Sequence, residues 1–285
     1  MQPAQFERAG IRLGYRYRRG RDGGPALVLL HGLASNSTRW TEFVKNTRLD
    51  PDWHIVCPDL RGHGASLWRG RLDMDLWLAD LRALLDYLAI EQAVVVGHCL
   101  GANMALAFAR RWPARCRGLV LIEPMPAPAL RGALALVRPL RGLLPLLAGV
   151  VRGLNTLGIY RRRLPTLDLA ELDRRTRAAM SEHGARQAVI KRYSAPSLDT
   201  FYMPIAAYLQ ALAQLFRPLP LNEVHAPALV LLSAGALLAD PHKTRQIMAA
   251  LPNVQIEMLE ALHWIPTEQP ERMTQLIDAW LQQLE

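Results

Sequence analysis

The feature that most constrains this chain is the pentapeptide Gly97-His98-Cys99-Leu100-Gly101, which directly follows the apolar run 93–96. This β-branched run predicts a strand, and the Ala- and Leu-rich residues 102–107 predict a helix, so the pentapeptide must turn the chain sharply between them. Glycines on both sides of Cys99 allow a turn that is too tight for larger residues. A thiol presented at such a turn, next to the positive end of a helix, is a candidate nucleophile.

Composition places the chain among ordinary globular proteins, since its 285 residues are 51% hydrophobic and 21% charged. Residues 1–8 lack the apolar segment of a secretory signal, and the longest uncharged apolar stretch, 142–151, is about half of a membrane span. Three cysteines do not form a disulfide framework. We therefore expect Cys57 and Cys116 to be buried and unreactive, and the protein to be cytoplasmic.

Short apolar runs alternate with helical patterns, as in a mostly parallel sheet flanked by helices. Apolar residues recur at helical spacing over residues 76–90 and 273–284. The predicted strands are 11–17, 26–30, 54–57, 93–96, 119–122, 228–232 and 254–259. From 125 to 222, Leu- and Arg-rich helical patterns interrupt the alternation. The predicted organisation is therefore an α/β core formed by residues 1–124 and 223–285, with an inserted helical cap at 125–222 over the active site.

The net charge of +9 is concentrated in the predicted cap. Residues 125–222 contain thirteen Arg and one Lys against five acidic residues, and the remainder of the chain is neutral. Two explanations stay open: a general preference of this chain for arginine, or a positive face that attracts an anionic partner. No aromatic-interleaved basic motif is present, so nucleic acid is not an expected partner.

Four motifs occur in a fixed order outside the predicted cap. They are Leu30-His31-Gly32-Leu33, the segment 59–66 with the sequence DLRGHGAS, the pentapeptide around Cys99, and the segment 262–271 that begins Leu262-His263. On these motifs the chain is identified as a member of the α/β-hydrolase superfamily, and the turn at Cys99 resembles the nucleophile elbow, in which serine is the common residue. The resemblance implies an α/β-hydrolase fold with a mostly parallel central sheet.

The resemblance also assigns catalytic roles. Cys99 is the expected nucleophile, and His263, which follows the last predicted strand, is the expected general base. The backbone N–H groups of Leu33 and Leu100 are expected to form the oxyanion hole.

The third member of the triad departs from the commoner pattern. Most relatives place an acid after the strand that corresponds to 228–232, but that position falls on Ala236 or Leu238 here, and the first acid in the loop is Asp240. The haloalkane dehalogenase branch instead places its acid after the sixth strand, where this chain has Glu123. We therefore expect Glu123 to orient the catalytic histidine, with Asp240, or no dedicated acid, as the alternatives.

The choice of cysteine bears on the substrate. A thiolate that attacks an ester gives a thioester of higher energy, whereas attack on a thioester gives a product of similar energy. We predict an acyl hydrolase or thioesterase that forms an acyl-cysteine on an ester or thioester with an apolar acyl group. An acyltransferase with the same acyl-enzyme, and a catalytically weakened binding or regulatory protein, remain alternatives. No metal or organic cofactor is expected, because no ligand cluster or phosphate loop is present.

The predicted cap indicates what else the chain contacts. Residues 129–157 are rich in Leu, Ala and Val, with Arg131, Arg138, Arg141 and Arg152 between them. Such a segment suits a small-molecule acyl substrate carried by coenzyme A or by an acidic acyl carrier protein. It also suits peripheral contact with an anionic membrane. Alternatively, these leucines serve only to pack the cap on the core.

Overall fold

A mostly parallel sheet forms the centre of the computed structural model, which describes residues 1–49, 51–180, 196–235 and 237–284. Its eight strands are β1 (Gln2–Arg8), β2 (Ile11–Arg18), β3 (Ala26–Leu30), β4 (His54–Pro58), β5 (Ala93–His98), β6 (Cys116–Ile122), β7 (Ala228–Ser233) and β8 (Val254–Leu259). Their order in the sheet is β1-β2-β4-β3-β5-β6-β7-β8. Strand β2 pairs antiparallel with both β1 and β4, and the other neighbouring strands are parallel.

Helices cover the sheet and fill the connections. The helices around the sheet are α1 (Thr41–Asn46), α2 (Met74–Tyr87), α3 (Leu100–Arg111), α9 (Pro241–Met248), α10 (Ile265–Glu268) and α11 (Pro270–Gln282). Between β6 and β7 the structure describes α4 (Gly132–Val137), α5 (Leu143–Thr156), α6 (Leu169–Met180), α7 (Pro196–Tyr202) and α8 (Ile205–Gln214). Residues 181–195 of the predicted cap lie outside the described residues, and the predicted domain boundaries stay a prediction.

The central strands are buried on both faces, which explains their near-continuous apolar sequences. Leu27 and Leu29 of β3 pack on one face with Trp40, while Val28 and Leu30 pack on the other. Strand β5 pairs with β6 in a register that sets His98 beside Ile122. Because the carboxyl ends of parallel strands meet at one edge of the sheet, the residues that follow β3, β5, β6 and β7 are brought together there.

The strands that the apolar runs predicted are all present, and the mostly parallel sheet flanked by helices confirms the predicted fold class. Strand β1 is an addition that the sequence analysis missed. It lies at the edge of the sheet, and Phe6 is its one buried side chain. A strand with a single buried residue lacks the apolar run by which the others were found.

A buried ion pair joins α6 to the core. Nη1 of Arg39 lies 2.6 Å from both carboxylate oxygens of Asp173 and 2.6 Å from Oγ1 of Thr267. The Arg39 and Asp173 side chains are only 4% and 3% exposed. This contact fixes α6 against the loop that precedes α1 and against the short helix α10.

Within the described part of the chain, no single helix is both long and apolar enough to cross a membrane. The segments Gly132–Leu140 and Leu143–Thr156 reach the length and apolar composition of a membrane span only when they are taken together. The chain bends by 83° between them.

Replacing Arg39 by methionine should destabilise the protein by about 3–5 kcal/mol, because the substitution removes the guanidinium that neutralises the buried Asp173 carboxylate. The free energy of unfolding is measured by urea denaturation. Arg272→Met, at an exposed arginine of α11, is the matched control and should change stability by less than about 0.5 kcal/mol. Equal unfolding midpoints for the two variants would show that the pair does not stabilise the fold.

Candidate active site

Cys99 lies at the turn between β5 and α3 in a backbone conformation that side chains rarely adopt, with φ at 55°. The flanking glycines are required by close backbone contacts. A Cβ on Gly97 would lie 2.2 Å from the Gly101 carbonyl oxygen, and one on Gly101 would lie 2.4 Å from that of Leu30. The Cys99 N–H donates to the carbonyl oxygen of Ile122 at 2.9 Å. Backbone contacts on both sides therefore hold the thiol in place, as is usual for strained residues at functional sites.

His263 connects this thiol to a carboxylate. Its Nδ1 lies 3.0 Å from Oε2 of Glu123, and its side chain also forms a hydrogen bond with that of Cys99. All three residues are buried. The structure thus brings Cys99, His263 and Glu123 into one hydrogen-bonded chain, the arrangement of a nucleophile, a base and an orienting acid.

Glu123 is held by the neighbouring strand β7. Its backbone N–H donates to the Leu231 carbonyl oxygen at 2.9 Å, and its Oε1 accepts a hydrogen bond from the Ser233 N–H at 2.5 Å. Its φ of 50° makes it a second residue with left-handed backbone in the site. With Oε1 bound in this way, Oε2 is directed to His263.

The alternative acid, Asp240, has a different role in the structure. Its carboxylate caps α9 by accepting a hydrogen bond from the Lys243 N–H at 2.9 Å, and it forms an ion pair with Arg131. Ala236, one of the two positions at which the commoner pattern places the acid, lies outside the described residues. The structure therefore brings Glu123 to His263 and assigns Asp240 to a helix cap.

The surroundings of His263 favour its charged form. Burial by itself lowers the pKa of His263, but hydrogen bonds with Cys99 and Glu123 raise it more, to about 10. The neighbouring His98 has its ring centroid 5.3 Å from that of His263. Burial, and then the charge of His263, hold the pKa of His98 well below its ordinary value. His98 therefore stays neutral, with Nε2 3.3 Å from the backbone oxygen of His263.

Of the two predicted oxyanion-hole residues, Leu100 directly follows Cys99, and Leu33 lines the same cavity as Cys99. A Cβ on Gly32 would lie 3.2 Å from the Cβ of Cys99, so the loop that carries Leu33 packs directly on Cys99. Leu100 is the first residue of α3, and its N–H therefore has no acceptor within the helix. That these two N–H groups bind an oxyanion stays a prediction.

The other buried histidines and cysteines have structural surroundings. His31 Nε2 accepts a hydrogen bond from the Leu60 N–H at 3.0 Å, and burial lowers the pKa of His31 to about 4. Burial also lowers the pKa of His63 to about 3. It raises the pKa of Cys57 and that of Cys116, the latter to about 12. These groups are therefore unsuited to proton transfer or nucleophilic attack at neutral pH.

A cavity of about 390 Å³ opens above Cys99 and His263. Its wall is mainly apolar and comes partly from the segment between β6 and β7; the residues from that segment are Met125, Arg131, Gly132, Ala133, Leu134, Leu167, Leu169, Leu172, Asp199, Tyr202, Tyr208, Leu212 and Leu215. A larger cavity of about 880 Å³, which Tyr15 and Asp59 help to line, does not include Cys99. The smaller cavity is the candidate substrate site because Cys99 and His263 line it.

Asp199 is a cavity residue that the sequence analysis did not single out. Burial raises the pKa of Asp199 to about 7, although a hydrogen bond with Tyr208 lowers it. No motif surrounds this residue. The available signal was its rarity, since it is one of five acidic residues between 125 and 222.

Comparison with known proteins assigns the family. Residues 25–270 match the alpha/beta hydrolase fold family. The chain belongs to this family. Lipase LipV of Mycobacterium tuberculosis is 37% identical over 102 residues, which are 35% of this chain and 38% of the lipase. A 2-hydroxy-6-oxononadienedioate/2-hydroxy-6-oxononatrienedioate hydrolase of Paraburkholderia phymatum is 26% identical over 90% of this chain and 86% of that enzyme.

The same fold is found in a solved structure of a thermophilic esterase from Thermogutta terrifontis, with a TM-score of 0.69 and 23% identity over 100% of this chain and 99% of that one. The match to the mycobacterial relatives is shorter: this chain spans 29% to 38% of their length. Together these likenesses place the chain in the α/β-hydrolase family. Among the described residues there is no group of three or more His, Cys, Asp or Glu side chains that could hold a metal ion.

The raised pKa of His263 can be tested by NMR titration of its ring. In the native protein we expect deprotonation near pH 10. Both Cys99→Ala and Glu123→Gln should lower this midpoint, because each removes a hydrogen-bond partner that stabilises the imidazolium. Asp240→Asn, in the helix cap, should leave it unchanged. A midpoint near the ordinary value of about 6.5 in the native protein would contradict the hydrogen-bonded chain.

Proposed function

We propose that this α/β-hydrolase cleaves esters or thioesters of apolar acyl groups through an acyl-cysteine on Cys99. The observation that carries the proposal is the chain Cys99–His263–Glu123, with 3.0 Å between Glu123 and His263, at the base of an apolar cavity. The hydrolase relatives support the reaction class, and the thiol distinguishes the mechanism from that of a serine enzyme.

In the acylation step, the Cys99 thiolate attacks the acyl carbonyl carbon and a carbon–sulfur bond forms. The N–H groups of Leu33 and Leu100 stabilise the negative oxygen of the tetrahedral intermediate. His263, held as an imidazolium, gives its proton to the leaving alkoxide or thiolate as the old bond breaks. Glu123 keeps Nδ1 fixed so that Nε2 is available for this transfer.

In the deacylation step, the loss of the thiolate changes the state of His263. Once Cys99 is acylated, its negative charge no longer stabilises the imidazolium, so the pKa of His263 falls and the neutral ring can take a proton from water. The hydroxide attacks the thioester carbon, the carbon–sulfur bond breaks, and the thiolate re-forms with the His263 imidazolium. The same pair of groups therefore serves both steps without a cofactor.

The cavity and the nucleophile define the substrate class. An apolar wall of leucines accommodates a hydrocarbon acyl group. Attack of a thiolate on a thioester is nearly balanced in energy, whereas attack on an ester must form a higher-energy bond. Thioesters, with coenzyme A or an acyl carrier protein as the leaving group, are therefore the preferred substrates, and the reducing cytoplasm is the compartment that keeps the thiol free.

Hydrolysis is proposed in preference to transfer because water is the acceptor in the relatives that are hydrolases. The acyl-enzyme intermediate is common to both reactions, so an acyltransferase would be recognised by a faster loss of the adduct when an alcohol or amine is added. Glu123 supplies a carboxylate to His263, so the missing acid at Ala236 no longer favours a catalytically weakened protein.

Cys99→Ala should abolish turnover of short p-nitrophenyl esters and acyl-coenzyme A thioesters, and should also abolish the acyl adduct seen by intact-mass measurement. Glu123→Gln should lower kcat by about 10²–10⁴-fold, because His263 loses its orienting partner. Cys116→Ala and Asp240→Asn, the matched controls, should retain activity within about twofold. An enzyme that keeps its activity in Cys99→Ala, or one that responds to Asp240→Asn and not to Glu123→Gln, would contradict the proposed mechanism.

Asp199 should make binding of an apolar acyl group dependent on pH. Above its pKa of about 7 the carboxylate places a charge in the cavity, so affinity should fall by at most about tenfold per pH unit. The dissociation constant of an uncleaved ester is measured with Cys99→Ala, which removes the effect of catalysis. The double variant Cys99→Ala/Asp199→Asn should bind equally across this range. A pH dependence that persists in the double variant would assign it to another group.

A further inference from the structure

Helix α5 has one buried and one exposed apolar face. Leu144 and Ala148 are buried, and α5 packs against α8. The exposed apolar residues follow at helical spacing on the opposite side; they are Leu143, Leu146, Leu147, Val150 and Leu154. Leu146 and Val150 are 66% and 63% exposed. Single exposed leucines are ordinary, but a contiguous apolar face in water is a mark of an interaction surface.

The exposed face continues on both sides of α5. Leu136 of α4 is 76% exposed, and Leu140 follows it before α5 begins. After α5, Leu157 is 75% exposed and leads to the exposed Ile159 and Tyr160. We call these exposed apolar residues of 136–160 the apolar face. It extends along two helices that are bent by 83° with respect to each other, so it presents a broad surface and not a single stripe.

Within the segment that carries the apolar face, arginines alone provide the charge. Between Met125 and Leu167 the chain has seven arginines and no acidic residue. Arg138 and Arg141 lie between α4 and α5 and donate to backbone carbonyl groups. Arg162 and Arg163 are exposed directly after the apolar face. An apolar surface edged by cations, without carboxylates, is complementary to an apolar layer that is edged by anions.

We propose that the apolar face docks on the surface of an anionic lipid bilayer. The leucines enter the boundary between headgroups and acyl chains, and Arg138, Arg141, Arg162 and Arg163 bind lipid phosphates. The guanidinium of Arg69 lies 4.5 Å from the ring centroid of Tyr160, and exposed aromatic residues with arginines suit the headgroup level. Helix α5 lies on the membrane and does not cross it, because its fourteen residues span about 21 Å against a hydrocarbon core of about 30 Å.

The docked face adjoins the active-site cavity. The first turn of α4, Gly132 to Leu134, lines the cavity that contains Cys99, while Leu136 in the same helix belongs to the apolar face. An acyl chain from the bilayer would therefore meet the cavity wall next to the docked helices. This consequence for the substrate rests on the proposed hydrolase function, whereas the docking itself does not.

The test is co-sedimentation of the full chain with vesicles in the absence of substrate. One set consists of phosphatidylcholine and the other of equal parts of phosphatidylcholine and phosphatidylglycerol. Binding should be strong on the anionic vesicles, weak on the neutral ones, and should fall as the salt concentration rises. Equal binding to the two sets, or none to either, would overturn the proposal.

Two pairs of matched variants separate the apolar and the charged contributions. Leu146→Glu/Val150→Glu should weaken vesicle binding by more than about tenfold, while Tyr87→Glu/Met258→Glu, which adds the same two charges at exposed residues outside this segment, should not. Arg162→Gln/Arg163→Gln should weaken binding by about tenfold or more, and Arg12→Gln/Arg272→Gln, at exposed arginines outside the segment, should change it by less than about threefold. If the control pairs weaken binding as much as the variants of the apolar face, binding is a property of net charge and the proposal fails.

The remaining measurements distinguish membrane docking from dimer formation through the apolar face, and from catalysis. If light scattering shows a stable dimer that the Leu146→Glu/Val150→Glu variant dissociates, a second copy covers the face and the proposal is overturned. Vesicle binding should be unchanged in Cys99→Ala. Leu146→Glu/Val150→Glu should cleave short soluble esters at the rate of the unmodified chain. An inactive unmodified chain that still binds anionic vesicles would disprove the proposed function and leave the docking intact.

Discussion

The close backbone contact at the elbow is the constraint on which the rest of the site depends. Gly97 touches the backbone of Gly101, and Gly101 touches the end of β3, so neither position tolerates a side chain. These contacts keep Cys99 at its positive φ, start α3 directly after it, and bring the Leu33 loop against it. On the proposed mechanism, a nucleophile that is fixed by backbone packing needs no side-chain rearrangement before it reacts.

The position of the acid follows from the same sheet. Strands β5, β6 and β7 are neighbours, so Glu123 at the end of β6 lies between the elbow and the end of β7. Its backbone and one carboxylate oxygen are bound to β7, which directs the other oxygen to His263. The usual position for the acid, after β7, can thus be vacant without loss of the charge at His263. The cost is a second residue with left-handed backbone, Glu123 itself.

The predictable parts of the molecule are those that local sequence determines. Apolar runs identified the buried strands, and the glycines around Cys99 identified the turn, because both depend on neighbouring residues only. Strand β1 has one buried residue and gave no such pattern. Asp199 gave none either, since it lines the same cavity as Cys99 only because α7 packs against α8 in three dimensions. The leucines of α5 were indistinguishable in sequence from packing residues, because burial of one face and exposure of the other depends on where α8 lies.

The segment between β6 and β7 carries both positive charge and apolar surface, and it keeps the two at different positions. Arg131, Arg138 and Arg141 lie at or beside the ends of α4 and α5, while apolar residues occupy both the cavity wall and the exposed face. Arg131 borders the cavity, but its charge is paired with Asp240. On the proposed docking, an acyl chain that moves from the exposed face to Cys99 passes the carboxyl group of Asp199, which burial keeps largely neutral below about pH 7. On the same proposal, the arginines attract anionic lipid from outside, while the cavity wall that receives the acyl chain stays mainly apolar.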